Sequence, residues 1–175
     1  MKIHDKTFEP FISATEIAKR IKELASELNI DYQDKKPIFI AVLNGSFIFA
    51  ADLIREIHID SEISFIKVAS YQSMQSTGNV KDLVGLQENV FNRHIVIVED
   101  IVDSGNTLKH IFDMMNRLGV ASVEVVSLLF KKEALQQNIP IKYYGFDIPT
   151  KFVLGFGLDY DGLGRNLKDI YQLKE

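Results

Sequence analysis

Two adjacent carboxylates, Glu99 and Asp100, follow the apolar run Ile95-Val96-Ile97-Val98 and precede Ile101-Val102-Asp103-Ser104-Gly105-Asn106-Thr107-Leu108. The run is short and rich in β-branched residues, which predicts a strand buried on both faces. The polar stretch after it predicts a loop that opens a helix. In open parallel sheets, ligands lie at the carboxyl ends of strands. Backbone N–H groups at a helix start, helped by the helix dipole, bind phosphate. Gly105 lets the backbone come close to such a ligand, and Ser104 and Thr107 can donate hydroxyl hydrogen bonds. Carboxylates beside a phosphate repel it unless they accept hydrogen bonds from sugar hydroxyls or face a bound Mg2+. Phosphate donors and hydroxyl acceptors together describe a cradle for a ribose 5-phosphate.

The elements that must hold this cradle follow from hydrophobic periodicity. Ser13 with Glu16 forms a capping box, opening a helix with Ile17, Ile21, Leu24, Ala25 and Leu28 on one face. The continuous run Ile38 to Leu43 predicts a buried strand, ended by Asn44-Gly45-Ser46, and Phe47 to Ile57 reads as helical. Ile63 to Val68 predicts a second strand. The polar composition from Ser70 to Asp82 predicts a mobile loop. His94 to Val98 is a third strand. A helix then carries Leu108, Ile111, Phe112, Met115 and Leu118, ended by Gly119. Val123 to Phe130 is a fourth strand, and from Tyr143 onward short apolar runs alternate with turns. Strands alternating with helices predict an α/β chain with a mainly parallel sheet.

The bulk properties narrow the classes. A chain of 175 residues, 46% hydrophobic and 25% charged, predicts one domain with a substantial core. The net charge of -4 argues against nucleic acid as a partner, because phosphate backbones need a basic face. With no cysteine, disulfide and thiolate chemistry are excluded, and the four histidines show no paired metal-ligand spacing. No apolar run approaches a membrane span and the N-terminus lacks a signal-peptide pattern, so the expected compartment is the cytoplasm. Neither a Gly-x-Gly-x-x-Gly after a strand nor a Gly-x4-Gly-Lys-Ser/Thr loop is present, which speaks against dehydrogenase and P-loop kinase readings.

The segment Glu99-Asp100-Ile101-Val102-Asp103-Ser104-Gly105 resembles the phosphoribosyl-pyrophosphate motif of the type I phosphoribosyltransferases, in the form typical of the hypoxanthine-guanine branch. The resemblance runs from roughly Pro37 to the C-terminus. It implies a twisted parallel sheet flanked by helices with a small hood from the terminal segments. It also implies transfer of a phosphoribosyl group from phosphoribosyl pyrophosphate to hypoxanthine or guanine, giving IMP or GMP and pyrophosphate.

Carried over by position, the resemblance implies that Glu99 and Asp100 hold the ribose hydroxyls, that Ser104, Gly105, Asn106 and Thr107 hold the 5-phosphate, and that Asp103 is the general base for purine nitrogen 7. A carboxylate there can take the proton lost as the base attacks carbon 1, and its charge favours the developing oxocarbenium cation.

Leu43, Asn44, Gly45 and Ser46 match the family's pyrophosphate loop, where the bond entering position 44 is often cis. Asn44 departs from the lysine common there and so removes a cation. Arg165 matches a pyrophosphate-binding arginine. Ser70 and Tyr71 match a lid that keeps water from the reaction. Lys131 matches a lysine on the 6-oxo group, with Lys132 as the adjacent alternative. A cation there prefers a 6-oxopurine to adenine, whose 6-amino group is itself a donor; xanthine stays open. Phe152 would stack on the purine and the Val153 backbone would meet its edge. Glu99, Asp100 and Asp159 would face Mg2+, and a homodimer or homotetramer is implied. The rival class, a regulatory binder of phosphoribosyl pyrophosphate that acts on nucleic acid, predicts loss of Asp103 and a basic surface.

Overall fold

The computed structural model describes residues 1–68 and 83–174, with the backbone alone at Leu83 and Val84. Ser70 and Tyr71 lie outside the described residues. The main sheet contains β3 (Ile38–Leu43), β4 (Glu62–Val68), β5 (Leu83–Val84), β6 (His94–Val102), β7 (Ser122–Phe130) and β8 (Tyr143–Asp147). Its order is β5-β4-β3-β6-β7-β8, and all neighbours are parallel except β5, which is antiparallel to β4. The continuous apolar runs of β3 and β6 have the two-sided burial that a central parallel strand requires.

Alternation divides the core. Phe39 and Ala41 of β3, with Val96 and Val98 of β6, face α1 (Ala14–Asp31) and α2 (Phe47–Arg55). Ile38, Ile40 and Val42, with Ile95 and Ile97, face α3 (Asn106–Arg117). The five apolar residues expected on the inner face of α1 are all buried, and the Ser13–Glu16 capping box is formed. Each of the Ile and Leu side chains among them contributes about 2 kcal/mol on burial. The far end of α1 is tied to β8, where Asp31 accepts hydrogen bonds from Lys142 and Tyr143.

One boundary differs from the sequence expectation. β6 continues through Glu99 and Asp100 to Val102, with Glu99 opposite Ser127 and Ile101 opposite Leu129. The acid pair looked like a strand end because charge is rare inside a buried strand. It is kept there by the ladder to β7.

A second, four-stranded antiparallel sheet joins the two ends of the chain. It consists of β1 (Lys2–Ile3), β2 (Lys6–Ile12), β10 (Ile170–Leu173) and β9 (Val153–Leu154), in that order. This is the hood. Pro10 lies in β2, and the register to β10 shifts beside it, between Ile170 and Tyr171. The Asp169 carboxylate accepts the Ala14 N–H at 2.7 Å, tying the hood to the start of α1. Among the described residues, no helix is long and apolar enough to cross a membrane.

Candidate active site

The carboxyl ends of β3 and β6 and the turn after β9 converge on one cavity of about 620 Å³. Leu43 and Gly45 line it from β3, Asp159 and Arg165 from the turn, and Glu99 to Leu108 from β6 and the start of α3. The structure therefore brings together most of the residues singled out in the sequence. Asn44 is exposed and outside the lining. The Leu43–Asn44 peptide is cis, as the resemblance implies.

Ser46 is not part of the cavity lining. It is wholly buried, and its hydroxyl donates to the Val42 carbonyl at 2.6 Å. A hydroxyl spent this way has no proton left for a ligand.

The walls meet at van der Waals limits. A Cβ on Gly45 would fall 1.5 Å from a carboxylate oxygen of Asp100 on β6, so any side chain here displaces the carboxylate or the turn after β3. On the other side, a Cβ on Gly157 would fall 2.1 Å from the Gly45 carbonyl oxygen. Gly157 has φ +103, a backbone region that glycine enters at little cost. Its carbonyl accepts Arg165 Nη1 at 2.7 Å, and Arg165 Nη2 lies 2.6 Å from Asp159. Asp159 also accepts the Gly162 N–H at 2.7 Å, which fixes the pair at the cavity wall.

The acid pair is electrostatically strained. Burial, and then the neighbouring Asp100, push the Glu99 carboxyl well above its ordinary range. Burial pushes Asp100 up to about 6, against the opposing hydrogen bond from the Ile101 N–H. Such carboxylates are stabilised by a cation or by hydroxyl donors. Among the described residues no three His, Asp or Glu side chains are grouped to hold a metal alone. A cation here would take its remaining ligands from water and substrate phosphates, the coordination Mg2+ favours.

Gly105, in the left-handed conformation, caps α3, and Asn106, Thr107 and Leu108 present the helix start to the cavity. Asp103 lines the cavity and pairs with Lys131, whose Nζ lies 2.8 Å from Oδ2. Lys132 instead opens a short 3-10 turn and is exposed. Lys131, Phe152 and Val153 are not part of the cavity lining. Phe152 is 40% exposed on the hood, its ring 5.6 Å from that of Tyr160 and 6.2 Å from that of Phe8. Lys6 Nζ stands 5.5 Å from its centroid. Val153 is buried in β9.

A model of the phosphoribosyl transferase domain matches residues 12–161. The chain belongs to the phosphoribosyltransferase family. Among its relatives, a Bacillus subtilis hypoxanthine-guanine phosphoribosyltransferase is 42% identical over 164 residues, 93% of this chain and 91% of the relative. One from Dictyostelium discoideum is 37% identical over 172 residues, 95% and 96% of the two chains. The crystal structure of a Bacillus anthracis hypoxanthine-guanine phosphoribosyltransferase superposes with a TM-score of 0.85 at 34% identity, covering 97% of this chain and 99% of that one.

Within this phosphoribosyltransferase, sequence reading missed three contributions to the site. His110 lines the cavity, and its spacing four residues after Asn106 on α3 was the signal for it. Gly157 had no local signal, because its partner Gly45 is distant in sequence. The contact between Lys131 and Asp103 was equally hidden, since it depends on β6 and β7 being neighbours.

Proposed function

We propose that this phosphoribosyltransferase transfers the 5-phosphoribosyl group of phosphoribosyl pyrophosphate to hypoxanthine, and to guanine, in purine salvage, releasing IMP or GMP and pyrophosphate. The observation that carries the reading is the convergence of the Glu99–Asp100 pair, the start of α3, Gly45 and Arg165 on one cavity. The names of the relatives supply the base.

In this reading the 5-phosphate sits on Ser104, Gly105, Asn106 and Thr107, where backbone N–H groups and the dipole of α3 face it. Glu99 and Asp100 accept hydrogen bonds from the ribose hydroxyls. Glu99, Asp100 and Asp159 would hold Mg2+, which would supply positive charge against the pyrophosphate. The Leu43–Gly45 backbone and Arg165 receive the pyrophosphate. The base stacks on Phe152 near the Val153 backbone, with its 6-oxo group on Lys131. The bond from carbon 1 to pyrophosphate oxygen breaks, its electron pair leaving with pyrophosphate. Nitrogen 9 bonds to carbon 1, and the nitrogen 7 proton passes to Asp103. Residues 1–175 work as one domain, and the chain assembles as a homodimer or homotetramer.

Pyrophosphate release is measured with hypoxanthine, guanine, xanthine and adenine offered separately, beside Asp103→Asn. The expected result is turnover with hypoxanthine and guanine that falls roughly a hundredfold or more in the variant. Turnover that survives the change removes Asp103 as the base. Binding of phosphoribosyl pyrophosphate with no base consumed removes the enzymatic reading.

A further inference from the structure

The Lys131–Asp103 ion pair, with Nζ 2.8 Å from Oδ2, joins to each other the two groups that the reading above places on the purine. The Lys131 N–H donates to the Val102 carbonyl at 2.9 Å, so the lysine starts beside the strand end that delivers Asp103. Its side chain is only 12% exposed, whereas that of Asp103 is 54% exposed. The lysine stem is thus largely covered, which limits where its ammonium can reach, and the ammonium ends on the more exposed Asp103 carboxylate.

We propose that this pair is a catch: Lys131 keeps Asp103 from serving water while no purine is bound, and a 6-oxopurine opens it by taking the lysine. The proposal rests on the reading of Asp103 as the base.

Hypoxanthine carries its 6-oxo acceptor and its nitrogen 7 donor side by side on one edge. It offers the lysine an acceptor and Asp103 a proton at the same moment, so both members of the pair exchange each other for the purine. Adenine presents an amino donor toward the ammonium and does not release it.

Without a purine, the competing reaction is hydrolysis. The bond from carbon 1 to pyrophosphate breaks, its electron pair leaving with pyrophosphate. A water oxygen bonds to carbon 1, and one water proton passes to Asp103. The products are ribose 5-phosphate and pyrophosphate. An ammonium on Oδ2 opposes this route twice. It occupies the carboxylate oxygen that would take the proton, 2.8 Å away, and it cancels the negative charge that would favour a cation at carbon 1.

The test is release of ribose 5-phosphate from phosphoribosyl pyrophosphate and Mg2+ without any base, set beside transfer to hypoxanthine. The wild type is compared with Lys131→Met, Lys131→Gln and Lys131→Arg. The expected result is that hydrolysis rises roughly tenfold or more in the Met and Gln variants, a part of the roughly hundredfold or more that a positioned base contributes, while transfer falls. Lys131→Arg keeps hydrolysis low because the cation remains. Adding Asp103→Asn to Lys131→Met returns hydrolysis to the wild-type level. A neutral variant that still transfers to hypoxanthine yet hydrolyses no faster than the wild type overturns the catch. Hydrolysis that stays high in the double variant also overturns it, because the base would then not be Asp103. A wild type that does not transfer to hypoxanthine fails the functional reading first, so the two failures are distinguishable.

Discussion

At the scale of single residues, the site is governed by what fits between neighbours. Glu99, Asp100 and Asp103 were legible because three carboxylates around a strand-to-helix turn have few structural uses. Gly45 was legible as a turn, but not as the seat of a carboxylate. A methyl at Gly45 would overlap Asp100 Oδ2 at 1.5 Å, so Gly45→Ala must displace either the loop or the acid. Misplacement of about 1 Å at reacting groups costs on the order of a hundredfold in rate. Steady-state kinetics of Gly45→Ala should therefore show kcat/KM for phosphoribosyl pyrophosphate down by about that factor. The position lies on the cavity wall, so the thermal midpoint should move far less. A variant with unchanged kinetics would mean that Asp100 has room to move without consequence.

At the scale of elements, β3, β6, β7 and the apolar face of α1 could be read from sequence because each is a long run of one period. β1, β2, β9 and β10 could not. Each is short or interrupted, and their pairing joins residues 6–12 to residues 170–173, which no local pattern records. The anchoring of α1 is testable at both ends. The Ser13 side chain accepts the Glu16 N–H, and Ser13→Ala should cost about 1 kcal/mol of unfolding free energy in urea. At the other end, the hydrogen bond from Lys142 first, and that from Tyr143 second, hold the Asp31 carboxyl below its ordinary range. A carboxyl depressed in the folded state contributes stability above its unfolded pKa, and that contribution is lost as pH falls through the folded value. Asp31→Asn should thus destabilise the chain at pH 7 by roughly 0.5–1 kcal/mol, a figure kept small by solvent screening of this partly exposed group. The difference from the wild type should shrink as urea titrations move below pH 4. A difference that grew toward acid would reverse the assigned sign.

At the scale of the whole molecule, the main sheet and the hood divide the work. The proposed phosphoribosyl pyrophosphate residues line a cavity at the strand ends of the main sheet and the turn after β9, whereas Phe152 and Val153 belong to the hood. Phe152 is held by the sheet that the chain termini build. Its carbonyl accepts the Leu173 N–H at 2.8 Å, and its ring packs near Phe8 of β2 and Tyr160. A proline at position 173 deletes that N–H and loosens the end of a strand that lies between β2 and β9. Losing one such hydrogen bond costs about 1 kcal/mol, equivalent to a roughly fivefold change in affinity. In Leu173→Pro the KM for hypoxanthine should rise about fivefold to tenfold as the ring proposed to stack on the purine loses its fixed position. The KM for phosphoribosyl pyrophosphate should stay within about twofold, because Glu99 and Asp100 lie on β6, which belongs to the other sheet, and the start of α3 follows that strand. Parallel increases in both constants would show that the hood also shapes the phosphate cradle, by way of Gly157 against Gly45, and the division between base-holding and phosphate-holding parts would have to be given up.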